Sequence, residues 1–464
     1  MSETATEGKM RLSATSLEQV PPGIARYSYH RAAQDIGIVH FGLGAFHRAH
    51  QAWYTDLCMD SGERGWAISG VSLRSPTVAE QLNPQDGLYT LTERSGGEST
   101  TRVIGAVREV LVATEERETI IARLGSPGVS VVSFTVTEKG YARRTGGSLD
   151  LAAAEASFYP LLTDGLRLRR ERDLPGLTLL SCDNLPANGR ELERLFGEWL
   201  TERAPDLAAW VAAECAFPST MVDRIVPATT PSDIDALENL LGVRDEGAIF
   251  TERFSQWVIE DRFAGPRPRW ERHGAQLVRD VAPYETAKLR MLNGAHSALA
   301  YCGLELGHEF VHQAIGDPML RGLIERLMRQ EAATSLAPAA GQDLEAYADA
   351  LLARFADPAL NHRLIQIAMD GSQKVPQRWL ETLAYHQRYG EPCPALIEAI
   401  VAWLRHVRGD RRPVDDPMAA QLAALWATEG SSGIAAALFG PQGLFSHVWR
   451  ADEASLARLT RRLG

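Results

Sequence analysis

Residues 37–56, GIVHFGLGAFHRAHQAWYTD, decide the fold. The run 37–41 is β-prone and stops at Gly42, Leu43 and Gly44; Ala49, Ala52, Trp53, Leu57 and Cys58 then recur at helical spacings. Strand, glycine turn and helix is the order in which a dinucleotide-binding fold opens. Gly42 permits a tight turn and Gly44 lets backbone N–H groups approach a pyrophosphate, while the helix N-terminus adds partial positive charge. His47 stands where G-x-G-x-x-G has its third glycine, so His47 and Arg48 are candidate donors to phosphate oxygens. A plain strand-to-helix turn explains a lone G-x-G equally well. Past the second expected strand, Val71, Ser72, Leu73 and Arg74 offer no acidic partner for a ribose hydroxyl. Arg74 can tolerate a 2′-phosphate, which leaves NAD and NADP both open.

The alternation continues outward. Residues 66–73 (WAISGVSL), 129–137 (VSVVSFTVT) and 177–182 (LTLLSC) read as strands separated by helical stretches, which predicts βαβ units and a parallel sheet. Their apolar residues are continuous, as in a sheet covered on both faces. Beyond about residue 283, helical periodicity dominates, at 286–304, 318–331, 344–355, 396–405 and 418–427. The expected class is α/β: a Rossmann-type doubly wound sheet in residues 1–283, then a mostly α-helical domain in residues 284–464.

The 464 residues are 45% hydrophobic and 23% charged, which excludes a largely disordered chain. A net charge of −11 argues against wrapping nucleic acid, where clustered Lys and Arg are needed. No window shows the roughly 18 consecutive apolar residues of a membrane span, so no membrane association is expected. The opening MSETATEGKMRLSATS reads as a loose polar tail and not as a secretory signal. Cys58, Cys182, Cys215, Cys302 and Cys393 are odd in number, far apart and without a C-x-x-C pair. Neither a disulfide framework nor a metal site is expected, and a reducing cytoplasm is the simplest compartment.

The chemistry concentrates in residues 283–303, PYETAKLRMLNGAHSALAYCG. At about 100° per residue, Asn293 lies roughly 140° and His296 roughly 80° from Lys288, all on one side of a helix. A solvated polar arc would look similar, but Asn293-Gly294 is a poor interior pair for a helix. A desolvated Lys can take a hydroxyl proton, Asn can donate to a developing alkoxide, and His can share that contact. Asn184, after the strand ending in Ser181 and Cys182, is a candidate second donor. Tyr284-x-x-x-Lys288 also matches the Tyr-Lys pair of short-chain dehydrogenases, but it falls about 240 residues after the glycine turn, too far for that family's single domain.

Seven stretches together carry a resemblance: HFGLGAFHRAHQAWYTD (40–56), TVTEKGY (135–141), SCDNLPANG (181–189), MVDRIVP (221–227), QWVIEDRFAGPRP (256–268), KLRMLNGAHS (288–297) and IAMDGSQKVPQR (367–378). From about residue 38 to the 440s the chain resembles the polyol-specific long-chain dehydrogenases, which include mannitol 2-dehydrogenases and fructuronate reductases (D-mannonate oxidoreductases). The resemblance implies a Rossmann domain followed by a mostly helical one, with the site in the cleft between them. It implies metal-independent hydride transfer, NAD as the usual cofactor, held around Gly42, Gly44, Phe46, His47 and Arg48, and a monomer acting on a small-molecule substrate (hexitol, ketose, uronate or aldonate).

By the same resemblance Lys288 is the general base, Asn184 and Asn293 form the oxyanion site, and Glu285 gates proton exit from the lysine. His296 and Asp223 bind substrate hydroxyls and Lys374 meets the far end of the open chain. Plainer roles exist for two of these: an ion pair of Asp223 with Arg224, and a solvated loop charge for Lys374. Residues 288–297 and 362–378 resemble the fructuronate reductase branch, whereas GVSLRS (70–75) and YTD (54–56) echo mannitol dehydrogenases. An aldonate carboxylate calls for a cation, for which Arg363 and Lys374 are candidates. The balance favours D-fructuronate and D-mannonate, with D-mannitol and D-fructose as the alternative. A catalytically silent sensor of a sugar acid or nucleotide is the other class, and it would need no base.

Overall fold

The structure, a computed structural model, describes residues 10–464. The first nine residues of the expected polar tail lie outside that range. From Met10 onward the chain is not loose: Leu12 is fully buried in an apolar cluster with Leu241 and Val243, and its N–H donates to the Arg244 carbonyl at 2.8 Å. One apolar residue in a polar run was enough to anchor the segment.

The chain divides into two units, Met1–Val281 and Ala282–Gly464. In the first, β1 (Ile36–Phe41), β2 (Ala67–Ser72), β3 (Val107–Val112), β4 (Val131–Phe134) and β5 (Thr178–Ser181) form one parallel sheet in the order β3-β2-β1-β4-β5. This is the Rossmann order, which reverses between β1 and β4. Successive residues feed opposite faces. Val39, Phe41, Val132 and Leu179 pack with helices Arg117–Leu124, Tyr159–Glu171 and Asn188–Arg203, and Ile38, Ile68, Val131 and Leu180 with helix Gln51–Asp60. Cover on both faces explains why the strands read as unbroken apolar runs.

Two smaller sheets complete the unit and were not foreseen. Tyr89–Ser95 and Glu98–Ile104 form an antiparallel hairpin turned at Gly96 and Gly97, flanked by Ala25–Arg26 and Ile249–Glu252. Gln276–Val278, Gln256–Glu260 and Thr220–Asp223 make the other.

The second unit is helical, with no strand among its described residues and one apolar core. One of its helices, Ala419–Phe439, does reach the length and apolar composition of a membrane span, contrary to the reading of the windows. Gly430 breaks it (φ 59°, ψ −171°), and Leu422, Trp426, Ile434, Leu438 and Phe439 sit in the unit's core. The helix expected at 286–304 is present but not uniform. Ala282–Ala287 is α-helical, Lys288–Asn293 is π-helical, and Gly294–Glu305 is α-helical again. Two further π segments, Leu327–Ala332 and Pro376–Leu380, pack against Lys288–Asn293.

Candidate active site

The glycine turn follows β1. Gly42 has φ +90° and donates its N–H to the Val71 carbonyl at 2.9 Å; a Cβ there would lie 2.3 Å from the Thr135 carbonyl oxygen. Glycine is required on both counts. At Gly44 a Cβ would meet nothing nearer than 3.7 Å, so the ledge above it is open to an approaching ligand. Thr135 Oγ1 donates to the Gly42 carbonyl at 2.8 Å, tying the end of β1 to that of β4 where the strand order reverses. Open α/β sheets take ligands at this point, and the open ledge fits a dinucleotide backbone. Phe46 lies half-buried in the first helical turn, its ring 5.0 Å from that of His50.

His47 and Arg48 are placed otherwise than expected. His47 is 1% exposed and stacks on His40 at 3.4 Å between ring centroids, with the Gln51 side chain as its hydrogen-bonding neighbour. Arg48 is buried and donates to the Gly247 carbonyl at 2.7 Å. Both side chains turn into the body of the unit, away from the place of phosphate donors expected of them. His40 itself bridges Ser133 Oγ and Thr135 Oγ1, each at 2.8 Å, and burial pushes its pKa down to about 3.

A buried carboxylate organises the neighbouring loop. Asp183 accepts from the N–H groups of Val136 (3.1 Å) and Thr137 (2.8 Å) and from the Tyr141 hydroxyl (2.9 Å). Asn184, the next residue, is exposed just past β5. Asn188 then staples this loop to the strand of Asp223. Its amide donates to the carbonyls of Asp183 and Thr220, both at 2.9 Å, and accepts from the Thr220 N–H at 2.8 Å. The structure thus links the Asn184 loop to the strand Thr220–Asp223, which ends in the buried Asp223. Arg224 is no surface partner of Asp223: it is buried, donates to the Ala49 carbonyl at 2.6 Å and pairs with Glu93.

In the second unit Lys288 opens the π segment and Asn293 closes it. Because π-helical bonds run from i to i+5, a turn takes more residues than in an α-helix. Asn293 therefore returns toward the line of Lys288, closer than the 140° of a uniform α-helix. His296 lies on the following turn, its ring 4.8 Å from Phe355 and 5.3 Å from His362. Burial, then His362, Arg354 and Arg378, hold it neutral well below the usual histidine pKa. Glu285 and Lys288 are both half-buried on the same helix.

The carbonyls at the end of the π segment are met by side chains from Pro376–Leu380. Arg378 Nη1 donates to the Asn293 carbonyl at 3.2 Å, and Trp379 Nε1 to the Gly294 carbonyl at 3.0 Å. Lys374 is not a solvated loop charge: its Nζ donates to the Met369 carbonyl at 2.5 Å, and burial lowers its pKa. Arg363 does not join this group. It is 55% exposed and pairs with Glu309 at 3.2 Å. Asn188 and Arg378 were missed in the sequence, although each stands inside a quoted stretch, Arg378 one helical turn after Lys374.

Among the described residues no group of three or more His, Cys, Asp or Glu side chains is set to hold a metal ion. A doubly wound sheet with a glycine turn at its switch point, followed by a helix bearing Lys, Asn and His, defines a Rossmann-type dehydrogenase. Residues 36–272 match the mannitol dehydrogenase Rossmann domain and residues 280–453 the mannitol dehydrogenase C-terminal domain, and the chain belongs to the mannitol dehydrogenase family of oxidoreductases. D-mannonate oxidoreductase of Escherichia coli (strain K12) is 40% identical over 444 residues, 91% of each chain. A mannitol 2-dehydrogenase of Aspergillus terreus (strain NIH 2624 / FGSC A1156) is 35% identical over 449 residues, 91% of this chain and 89% of that one. The structure of Pseudomonas fluorescens mannitol 2-dehydrogenase in ternary complex with NAD and D-mannitol matches with a TM-score of 0.80 at 33% identity, covering 98% of this chain and 96% of that one.

Proposed function

We propose that the protein is an NAD-dependent dehydrogenase that interconverts D-mannonate and D-fructuronate. The observation that carries the reading is the π turn, which aligns an amine, Lys288, with an amide donor, Asn293, one turn before a neutral imidazole, His296. NAD, seated on the ledge at Gly42 and Gly44 beside Phe46, supplies the hydride acceptor at its nicotinamide. The chain's own residues handle the proton and the charge. The neutral Lys288 amine takes the alcohol proton, and Glu285, three residues earlier, passes it on. Asn184 and Asn293 donate to the oxygen as it becomes an alkoxide. His296 and Asp223 hold flanking hydroxyls, and Lys374 holds the far end of the open chain. Arg74, exposed after β2, keeps NADP acceptable. The likeness to a D-mannonate oxidoreductase over 91% of both chains supports the acid pair as substrate. Five cysteines, all unpaired, fit a reducing cytoplasm, and the family resemblance is the ground for a monomer.

The test is a cofactor absorbance assay with purified protein, NADH and either D-fructuronate or D-fructose. Faster oxidation of NADH with fructuronate is expected. Fructose as the better substrate would move the assignment to mannitol 2-dehydrogenase, and turnover of neither, despite binding, would favour a sensor.

A further inference from the structure

Arg378 is a cation that none of the roles above uses. It lies on Pro376–Leu380 and reaches the helix of Asn293 and His296, where Nη1 donates to the Asn293 carbonyl at 3.2 Å and to Ser297 Oγ at 2.7 Å. That occupies one corner of the guanidinium. Among the described residues, Nε and Nη2 have no hydrogen-bond or ion-pair partner, and that edge is not sealed inside the protein. It is the edge that takes a carboxylate through two parallel bonds.

The surroundings make an anion welcome. Burial lowers the pKa of Arg378 to about 10, with Tyr301 pulling the other way. Lys374, one helical turn earlier, is lowered by burial and by the charge of Arg378 itself. Asp370, 3.9 Å from Nζ, offsets Lys374, and Asp416 acts on Lys374 in the same sense. No carboxylate among the described residues does this for Arg378. His296 on the facing helix is kept neutral and so brings no further positive charge. Arg363, one of the two cations expected from the sequence beside Lys374, is already paired with Glu309.

We propose that Arg378 grips the terminal carboxylate of a sugar-acid substrate and so selects acid over alcohol at that end of the chain. The inference rests on the dehydrogenase reading and sharpens its substrate class.

Arg378→Gln removes the charge but keeps an amide able to donate to the Asn293 carbonyl. Steady-state kinetics should show kcat/KM for D-mannonate falling about a hundredfold, with D-mannitol changed by less than about threefold. Arg378→Lys, which keeps the charge without the fork, should recover about a tenth of the wild-type value. An equal loss on both substrates marks a purely structural arginine and overturns the proposal, as does no loss on mannonate or a wild type that turns over mannitol alone. Should the wild type turn over neither compound, the dehydrogenase reading fails by itself. Calorimetric titration of both proteins with D-mannonate and D-mannitol then decides: mannonate affinity lost only in Arg378→Gln upholds the role, and equal or absent mannonate binding overturns it.

Discussion

At the residue scale the proposed chemistry turns on one proton. If Lys288 takes it, Lys288→Ala should cut kcat by about 10²–10⁴-fold while NAD affinity, read by fluorescence titration, stays within about twofold. A variant of normal rate would remove the base assignment. A second prediction comes from His40 and His47, both held neutral by burial, His47 further disfavoured as a cation by His40, His50 and Arg48. A histidine whose folded pKa lies below its unfolded value of about 6.5 binds fewer protons when folded. Stability is therefore lost as pH drops beneath that value, by roughly 2 kcal/mol at pH 5 for His40 and in the same direction for His47. Phenylalanine cannot take up a proton, so His47→Phe should gain stability relative to wild type between pH 7.5 and pH 5. Denaturant midpoints at the two pH values measure it; a pH-independent difference would mean that His47 takes up its proton in the fold as readily as in the unfolded chain.

At the scale of elements, the π turn is held from outside. Trp379→Phe keeps a ring in the core but removes the donor to the Gly294 carbonyl. Stability should fall by about 1–3 kcal/mol, and kcat should drop more than KM rises, because the aligned turn matters most once the alkoxide forms. Loss of stability with unchanged kcat would show that the turn holds without Trp379. This element also marks where the sequence stops being readable. The strands 36–41, 67–72, 131–134 and 178–181 were legible because apolar runs bounded by turns carry their own signal. So was the helix bearing Lys288, Asn293 and His296. Its π segment was not, because hydrophobic spacing in six residues does not separate i+4 from i+5 bonding, and the side chains that meet the carbonyls at its end, Arg378 and Trp379, stand more than eighty residues away in the chain. The hairpin at Gly96 and Gly97 did carry a turn signal that went unread. His47 and Arg48 were assigned to phosphate from position alone, and only packing against His40 and Gly247 shows them turned inward.

At the scale of the whole molecule, each unit has its own apolar core, with the glycine turn in one and Lys288 in the other. Scanning calorimetry should therefore resolve two transitions, and NAD should raise the one carried by residues 10–281. At a hundredfold excess over Kd the shift corresponds to about 2.7 kcal/mol. Equal shifts of both transitions, or a single shared transition, would show that the units melt as one.

The break at Gly430 has its own consequence. The torsions 59° and −171° are open essentially to glycine alone, although the space around Gly430 is free. Any side chain there would favour one straight rod over two bent arms. Ile434, Leu438 and Phe439 would swing toward water, and clumping of otherwise sound molecules would be the first symptom.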